Sequence, residues 1–330
     1  MILTILGGGG FRVPLVYGAL LGDTAEPRVD QVVLYDVDAE RLLAISMVLD
    51  RMGTGLEGPP EVRTTTDLDD ALRDATFVFS AVRVGGLEGR IADERVALDL
   101  GLLGQETTGP GGIAYGLRTV PVAVHIAQRI AAVCPDAWVI NFTDPAGMIT
   151  EAMQGVLGER VIGICDTPIG LARRAGRALG LEPDLTSPDY VGLNHLGWLR
   201  GLSHQGRDVL PDLIGNEQLL GGIEEGRLFG TEWIADLGAI PNEYLYYYYY
   251  TRDAVASIRG AADTRGEFLL RQQGAFYAQT ARVPATAYEA WQRVRGARAA
   301  TYWAASSREA TERDPADSEG GGSGGWALAT

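Results

Sequence analysis

A doubly wound α/β sheet followed by a mixed α+β, mainly helical second part is the fold this chain predicts, on three observations. Short apolar, β-branched runs alternate with helical patterns through the first half, as in a parallel sheet covered on both faces. Four consecutive glycines, Gly7 to Gly10, close the first run. Beyond about Gly180 the alternation stops and helical patterns dominate.

The elements follow in order. Ile2 to Leu6 is an apolar run of strand length, and Val13, Leu15, Val16 and Leu20 mark a helix after the glycines. Gln31 to Tyr35 is β-branched and ends at Asp36, and Ala39 to Met52 has helical periodicity. Val62 to Thr66 reads as a short strand, Asp67 to Arg73 as a short helix and Ala75 to Val82 as a buried strand. Arg118 to Ala132 is a helix, and Ala137 to Phe142 and Val161 to Cys165 complete the strand series. Tyr190 to Leu202 suits strands of a different sheet. Gly221 to Arg308 is mainly helical, with a tyrosine-rich run from Tyr244 to Tyr250. The expected division is 1–165, 166–317 and a low-complexity tail, 318–330.

Composition narrows the function. A chain of 330 residues is long enough for one large or two medium domains with a real core. Its net charge of −15 argues against a general nucleic-acid binder, because phosphates are repelled. A small phosphorylated molecule needs only a few local arginines. Two cysteines make no disulfide framework and suit a reducing compartment. The opening MILTILGGGGF is too short for a membrane span and lacks the basic region of a signal peptide, so a cytoplasmic enzyme is expected, with no membrane partner.

Several residues carry chemistry. The N–H groups of Gly7, Gly8, Gly9 and Gly10, between a strand and a helix, can approach a pyrophosphate. Asp36, 26 residues after Gly10, can accept from ribose hydroxyls and so favour NAD over NADP. The strict G-x-G-x-x-G spacing fails, since its third position falls on Arg12 or Val13. A glycine-rich turn without a ligand is the alternative, and the β-α-β context favours a nucleotide. Cys165 ends a strand, where ligands bind in open α/β sheets, and with His195 it can hold a divalent metal. Each alone reads as well as a core residue. Arg83 and Arg90 flank a loop placed for an anion, or pair with Glu88. Gly104 to Gly112 is a glycine-rich loop with a polar core. One tyrosine of the 244–250 run can serve as a base if a cation lowers its pKa. The other rings pack on a helix.

Together GGGGFRVP, RVGGLEGR, GQETTGPGG, NFTDPAG, GICDTPIG, NHLGW and PNEYLYYYY resemble glycoside hydrolase family 4, most closely its 6-phospho-β-glucosidases. The family departs from two-carboxylate glycosidases by using NAD. The resemblance implies a Rossmann-like NAD-binding domain and then a substrate domain. It implies NAD+ at Gly7 to Gly10, Phe11, Arg12, Asp36 and Arg83. It implies a divalent metal, commonly Mn2+, on Cys165 and His195. Tyr244 matches the general base, with Glu106 helping to make it basic. Arg90 and Arg265 match the clamp on the 6-phosphosugar, with Asn141 and Asp144 also at the sugar. The implied reaction is oxidation at C3, elimination across C1–C2, water addition and re-reduction, releasing glucose 6-phosphate. A homo-oligomer, dimer or tetramer, is also implied.

Three departures stand out. Asp144 replaces a common asparagine. Asp166 follows the metal cysteine as in the 6-phospho-α-glucosidases, where it is the acid on the leaving group. Family members usually run further than SEGGGSGGWALAT, so a C-terminal portion is expected to be missing. The competing expectations are a 6-phospho-α-glucosidase, an NAD-dependent 2-hydroxy-acid dehydrogenase with His195 as acid–base residue, and a non-catalytic NAD and sugar-phosphate binder.

Overall fold

The computed structural model describes residues 1–300 and the pair 327–328. The first half is β1 (Ile2–Leu6), α1 (Val13–Leu21), β2 (Gln31–Tyr35), α2 (Ala39–Gly53), β3 (Glu61–Thr65), α3 (Leu68–Leu72), β4 (Phe77–Ser80), α4 (Gly86–Asp99), α5 (Gly109–Val133), β5 (Trp138–Asn141), α6 (Ala146–Leu157) and β6 (Val161–Cys165). Its strands are parallel in the order β3-β2-β1-β4-β5-β6. This is the Rossmann order, and its reversal between β1 and β4 opens a crevice at their carboxyl ends. All the expected strands are present, shortened by a residue or two at some ends.

Two local readings need correction. Gly104 to Gly112 is only partly a loop, because α5 begins at Gly109. Pro110 sits in its first turn, where a missing N–H costs nothing. The segment between Arg83 and Arg90 is likewise helical from Gly86, with Gly85 in the left-handed region (φ 84°) turning the chain into α4.

The second part runs α7 (Thr167–Ala178), β7 (Thr186–Leu193), β8 (Leu196–His204), β9 (Arg207–Asp208), α8 (Leu210–Ile214), α9 (Glu217–Gly222), α10 (Glu224–Phe229), α11 (Thr231–Leu237), β10 (Ile240–Pro241), α12 (Tyr246–Tyr249), α13 (Thr251–Gly260), α14 (Arg265–Arg282) and α15 (Ala287–Ala300). β7 and β8 form an antiparallel hairpin in a small separate sheet. Its core is distinct, built from Leu199, Leu202, Leu213, Ile234 and their neighbours. α14 and α15 return to the first half: Phe276, Ala290 and Trp291 pack with Ile5, Phe11 and Leu34. β11 (Ala327–Leu328) pairs antiparallel with β6. The rest of the expected tail, 318–330, lies outside the described residues. Among the described residues no helix is long and apolar enough to cross a membrane.

Candidate active site

A cavity of about 840 Å³ opens at the carboxyl ends of β1, β4 and β6 and reaches the hairpin and α14–α15. Its floor is the glycine turn. Gly7 and Gly8 both donate to the Tyr35 carbonyl (2.9 and 2.7 Å), and Gly10 donates to the Gly7 carbonyl (2.9 Å). Gly9 donates to Asp36 Oδ2 (3.0 Å). The glycine N–H groups are therefore engaged within the chain, which corrects the expectation that they face a pyrophosphate. What the glycines supply is clearance. A Cβ on Gly7, at φ +83°, would meet the Ala81 carbonyl oxygen at 2.5 Å, and one on Gly8 would meet Leu34 Cβ at 2.7 Å. The turn lies against β2 and β4 because nothing projects from it. Asp36 ends β2 as expected and also ties down the loop.

The turn is closed from outside by helices that the sequence reading did not connect with it. The Tyr277 hydroxyl donates to the Gly9 carbonyl (2.6 Å) and receives Arg41 Nη2 (3.1 Å). Trp291 Nε1 donates to the Phe11 carbonyl (2.9 Å).

The metal candidates come together as the sequence reading expected. Cys165 Sγ, at the end of β6, lies 3.7 Å from His195 Nε2 in the β7–β8 turn. Ligands 2.3 and 2.1 Å from a shared small divalent ion lie about 3.1–3.6 Å apart, so the 3.7 Å separation is about 0.1 Å beyond that range and needs only a slight closure to hold one ion. Among the described residues no group of three or more His, Cys, Asp or Glu could hold a metal. These two side chains are the donors the protein brings. His195 has φ 59°, a conformation costing a non-glycine residue about 1 kcal/mol or more. Its surroundings hold it there: its ring stacks on Tyr244 (centroids 3.6 Å apart, planes within 5°), and Nδ1 is 3.1 Å from Thr107 Oγ1. Burial lowers its pKa to about 4 and leaves it neutral at neutral pH, while burial and Asp166 push the Cys165 thiol up.

Tyr244 is the tyrosine of the run that faces this pair. It lies in a single 3-10 turn, Glu243–Leu245, ahead of α12, so the run is not one helix. Asn242 Oδ1 accepts the Tyr244 N–H (3.1 Å), and its Nδ2 donates to Thr167 Oγ1 (2.9 Å), which is 3.4 Å from Cys165 Sγ. Buried Glu243 next door is held by Arg174, which also pairs with buried Glu225. Asn242, Thr167 and Arg174 were missed as site residues: Asn242 stands inside the tyrosine motif but shows its role only through its bonds, and nothing local in the sequence links Thr167 or Arg174 to Tyr244.

The far wall is made of charges. Glu106 lies between Arg83 Nη2 (2.7 Å) and Arg90 Nη1 (2.8 Å), and Arg90 also holds Glu94 (2.7 Å). Arg90 therefore pairs with Glu94 and Glu106 rather than with Glu88. Burial works to raise the Glu106 pKa, but Arg90 and Arg83 hold it at about 2. Arg83, expected at the cofactor, is tied into this triad. Asp144 also lines the cavity, and burial, with Glu106 nearby, pushes its pKa up to about 7. Arg12 pairs with Asp166 (2.6 Å). Arg265, in the first turn of α14, donates to the Arg298 carbonyl (3.2 Å). Arg298 was missed. It lines the same cavity, and burial together with Arg12, Arg265 and Arg90 lowers its pKa to about 9.

One candidate is misplaced. Asn141 is fully buried and is not part of the cavity lining. Its amide donates to the Thr143 carbonyl (3.2 Å) and Thr150 Oγ1 (3.1 Å), and its oxygen accepts the Thr143 N–H. It shapes the loop bearing Asp144 and is not exposed to the cavity.

Comparison with known proteins agrees with this geometry. Residues 2–181 match the model of the family 4 glycosyl hydrolases, and residues 190–314 match the model of their C-terminal domain. A probable 6-phospho-beta-glucosidase of Bacillus subtilis is 35% identical over 280 residues, covering 80% of this chain and 62% of that protein. A maltose-6'-phosphate glucosidase of the same organism is 34% identical, covering 77% and 60%. The 6-phospho-beta glucosidase of Thermotoga maritima, determined with manganese, NAD+ and glucose-6-phosphate, superposes with a TM-score of 0.77 at 27% identity, covering 91% of this chain and 72% of that one. The chain spans about three-fifths of the length of the curated relatives it matches. With matches to both family models along its length, and a cysteine–histidine pair set over a glycine turn, the chain belongs to glycosyl hydrolase family 4.

Proposed function

We propose that the protein hydrolyses 6-phospho-β-glucosides to glucose 6-phosphate and an aglycone, using NAD+ and a divalent ion, manganese for preference. The observation that carries this is the Cys165–His195 pair 3.7 Å apart, with the Tyr244 ring stacked on the imidazole. Neither a plain dehydrogenase nor an ordinary glycosidase needs that pair. Cys165 Sγ and His195 Nε2 would hold the ion. The Gly7–Arg12 turn and Asp36 would seat the cofactor. Bound there, NAD+ and the ion supply the hydride acceptor for C3 and the Lewis acid that acidifies the neighbouring C2 proton.

The chain's own residues do the rest. Tyr244 takes the C2 proton as general base, and the C1–O bond breaks by elimination. Arg90, Arg265 and their neighbours bind the 6-phosphate, while Glu106 keeps the charge of Arg83 and Arg90 balanced. Asp144 faces the sugar.

The 6-phospho-α-glucosidase reading rests on Asp166 as acid. Its carboxyl is engaged by Arg12 at 2.6 Å, which competes with a role as acid on a leaving group and so weighs for the β reading. A panel of α- and β-linked 6-phosphoglucosides, with NAD+ and Mn2+ present, tests the assignment. The expected result is turnover of β-linked substrates, abolished by chelation, with solvent exchange of a C2 deuteron. Activity that survives chelation would restore the dehydrogenase alternative. NAD+ and sugar-phosphate binding without turnover would mean a binding protein.

A further inference from the structure

Gln105, Thr107 and His195 form a chain of hydrogen bonds whose direction can be worked out from its first link. Gln105 Oε1 lies 2.6 Å from the Thr107 N and 2.7 Å from the Thr108 N. Both are backbone donors, so that end of the amide is the oxygen, which carries no hydrogen. The same oxygen lies 3.1 Å from Thr107 Oγ1, so the hydroxyl donates to it. A hydroxyl has one proton, and this one is committed. His195 Nδ1 lies 3.1 Å from the same Oγ1, so the ring nitrogen is the donor of that bond. A neutral imidazole with its proton on Nδ1 presents a bare lone pair at Nε2, the atom that faces Cys165 Sγ.

We infer that Gln105 and Thr107 lock His195 in the Nδ1–H tautomer, so that Thr107 is a positioning residue keeping the Nε2 lone pair aimed at the Cys165 thiol and ready for a divalent cation. The direction is set by the protein before any ligand arrives. Thr108, the next residue, stands at the N-cap position of α5 and donates its N–H to the same Gln105 oxygen, so the relay is anchored at the start of the longest helix in the first half. The tautomer itself stands apart from the functional reading above; its use in holding a metal rests on that reading.

The test is nitrogen NMR of the ¹⁵N-histidine-labelled protein, metal-free at neutral pH. The chain has only three histidines, and a His195→Gln spectrum assigns the signal. Wild type should show a protonated Nδ1 and an unprotonated Nε2 at His195. Thr107→Val should lose that fixed pattern, and Thr107→Ser should keep it. Mn2+ binding, followed by electron paramagnetic resonance, should weaken roughly 10–100-fold in Thr107→Val and recover in Thr107→Ser, with NAD+ affinity unchanged. A proton on Nε2 in wild type overturns the inference, as does a Thr107→Val protein with the wild-type tautomer and Mn2+ affinity. A wild type with the assigned tautomer but no Mn2+ affinity leaves the relay standing and removes the metal reading instead.

Discussion

The floor and the far wall of the cavity are built from different materials. The floor is backbone: four glycines whose N–H groups are all used internally and whose missing side chains let the turn press on β2 and β4. The far wall is side chain: Arg83, Arg90 and Glu106 interlocked, Glu94 behind them, and Arg265 and Arg298 arriving from α14 and α15. A floor of this kind tolerates almost no added atom. A wall of this kind tolerates changes of shape but not of charge balance, because breaking a buried ion pair costs about 3–5 kcal/mol.

Four substitutions sharpen the contrast. Tyr244→Phe should show the largest effect and confine it to catalysis: kcat falls roughly 10²–10⁴-fold while NAD+ binding and melting temperature hold. A parallel loss of NAD+ affinity would mean that Tyr244 and the floor are not separable. Gly7→Ala is the floor's counterpart. Its Cβ meets the Ala81 carbonyl at φ +83°, so stability should drop by about 2–4 kcal/mol in urea titration, with NAD+ affinity lost in step.

Asp144→Asn probes the wall's charge. The Asp144 pKa is pushed up to about 7 in the fold, against about 4 when unfolded. The folded state therefore holds the proton more tightly, and the carboxyl opposes folding increasingly as pH rises from about 4 through about 7. The asparagine variant should be more stable than wild type by up to about 4 kcal/mol near pH 8, with the gap closing toward pH 4. Parallel pH profiles would refute this assignment. Thr264→Ala, which removes the capping box of α14, should cost only about 1 kcal/mol and raise KM slightly, since the cap sets the first turn carrying Arg265.

The same contrast explains what the sequence could disclose. The series of strands and the glycine turn are written locally, in apolar runs and one short motif, and they were legible. Cys165 and His195 were legible as a pair through the motifs around them. The partners of Glu106 were not, because Arg83 and Arg90 reach it only once α4 folds back on the loop before α5. Asn141 was misread because its motif marks the loop it builds, not the surface it presents. Arg298, Trp291 and Tyr277 left no local signal; Trp291 reaches Phe11 across 280 residues and Tyr277 reaches Gly9 across 268.

Those two bonds bear on the order in which the protein matures. A chain emerging from the ribosome completes all six parallel strands by residue 165, yet the Gly9 and Phe11 carbonyls still lack their Tyr277 and Trp291 donors. Although its residues are the first to be synthesised, the proposed nucleotide site is among the last to be finished. Dinucleotide retention by a nascent or refolding chain would therefore report that synthesis and docking have reached α15, not merely that the sheet has formed.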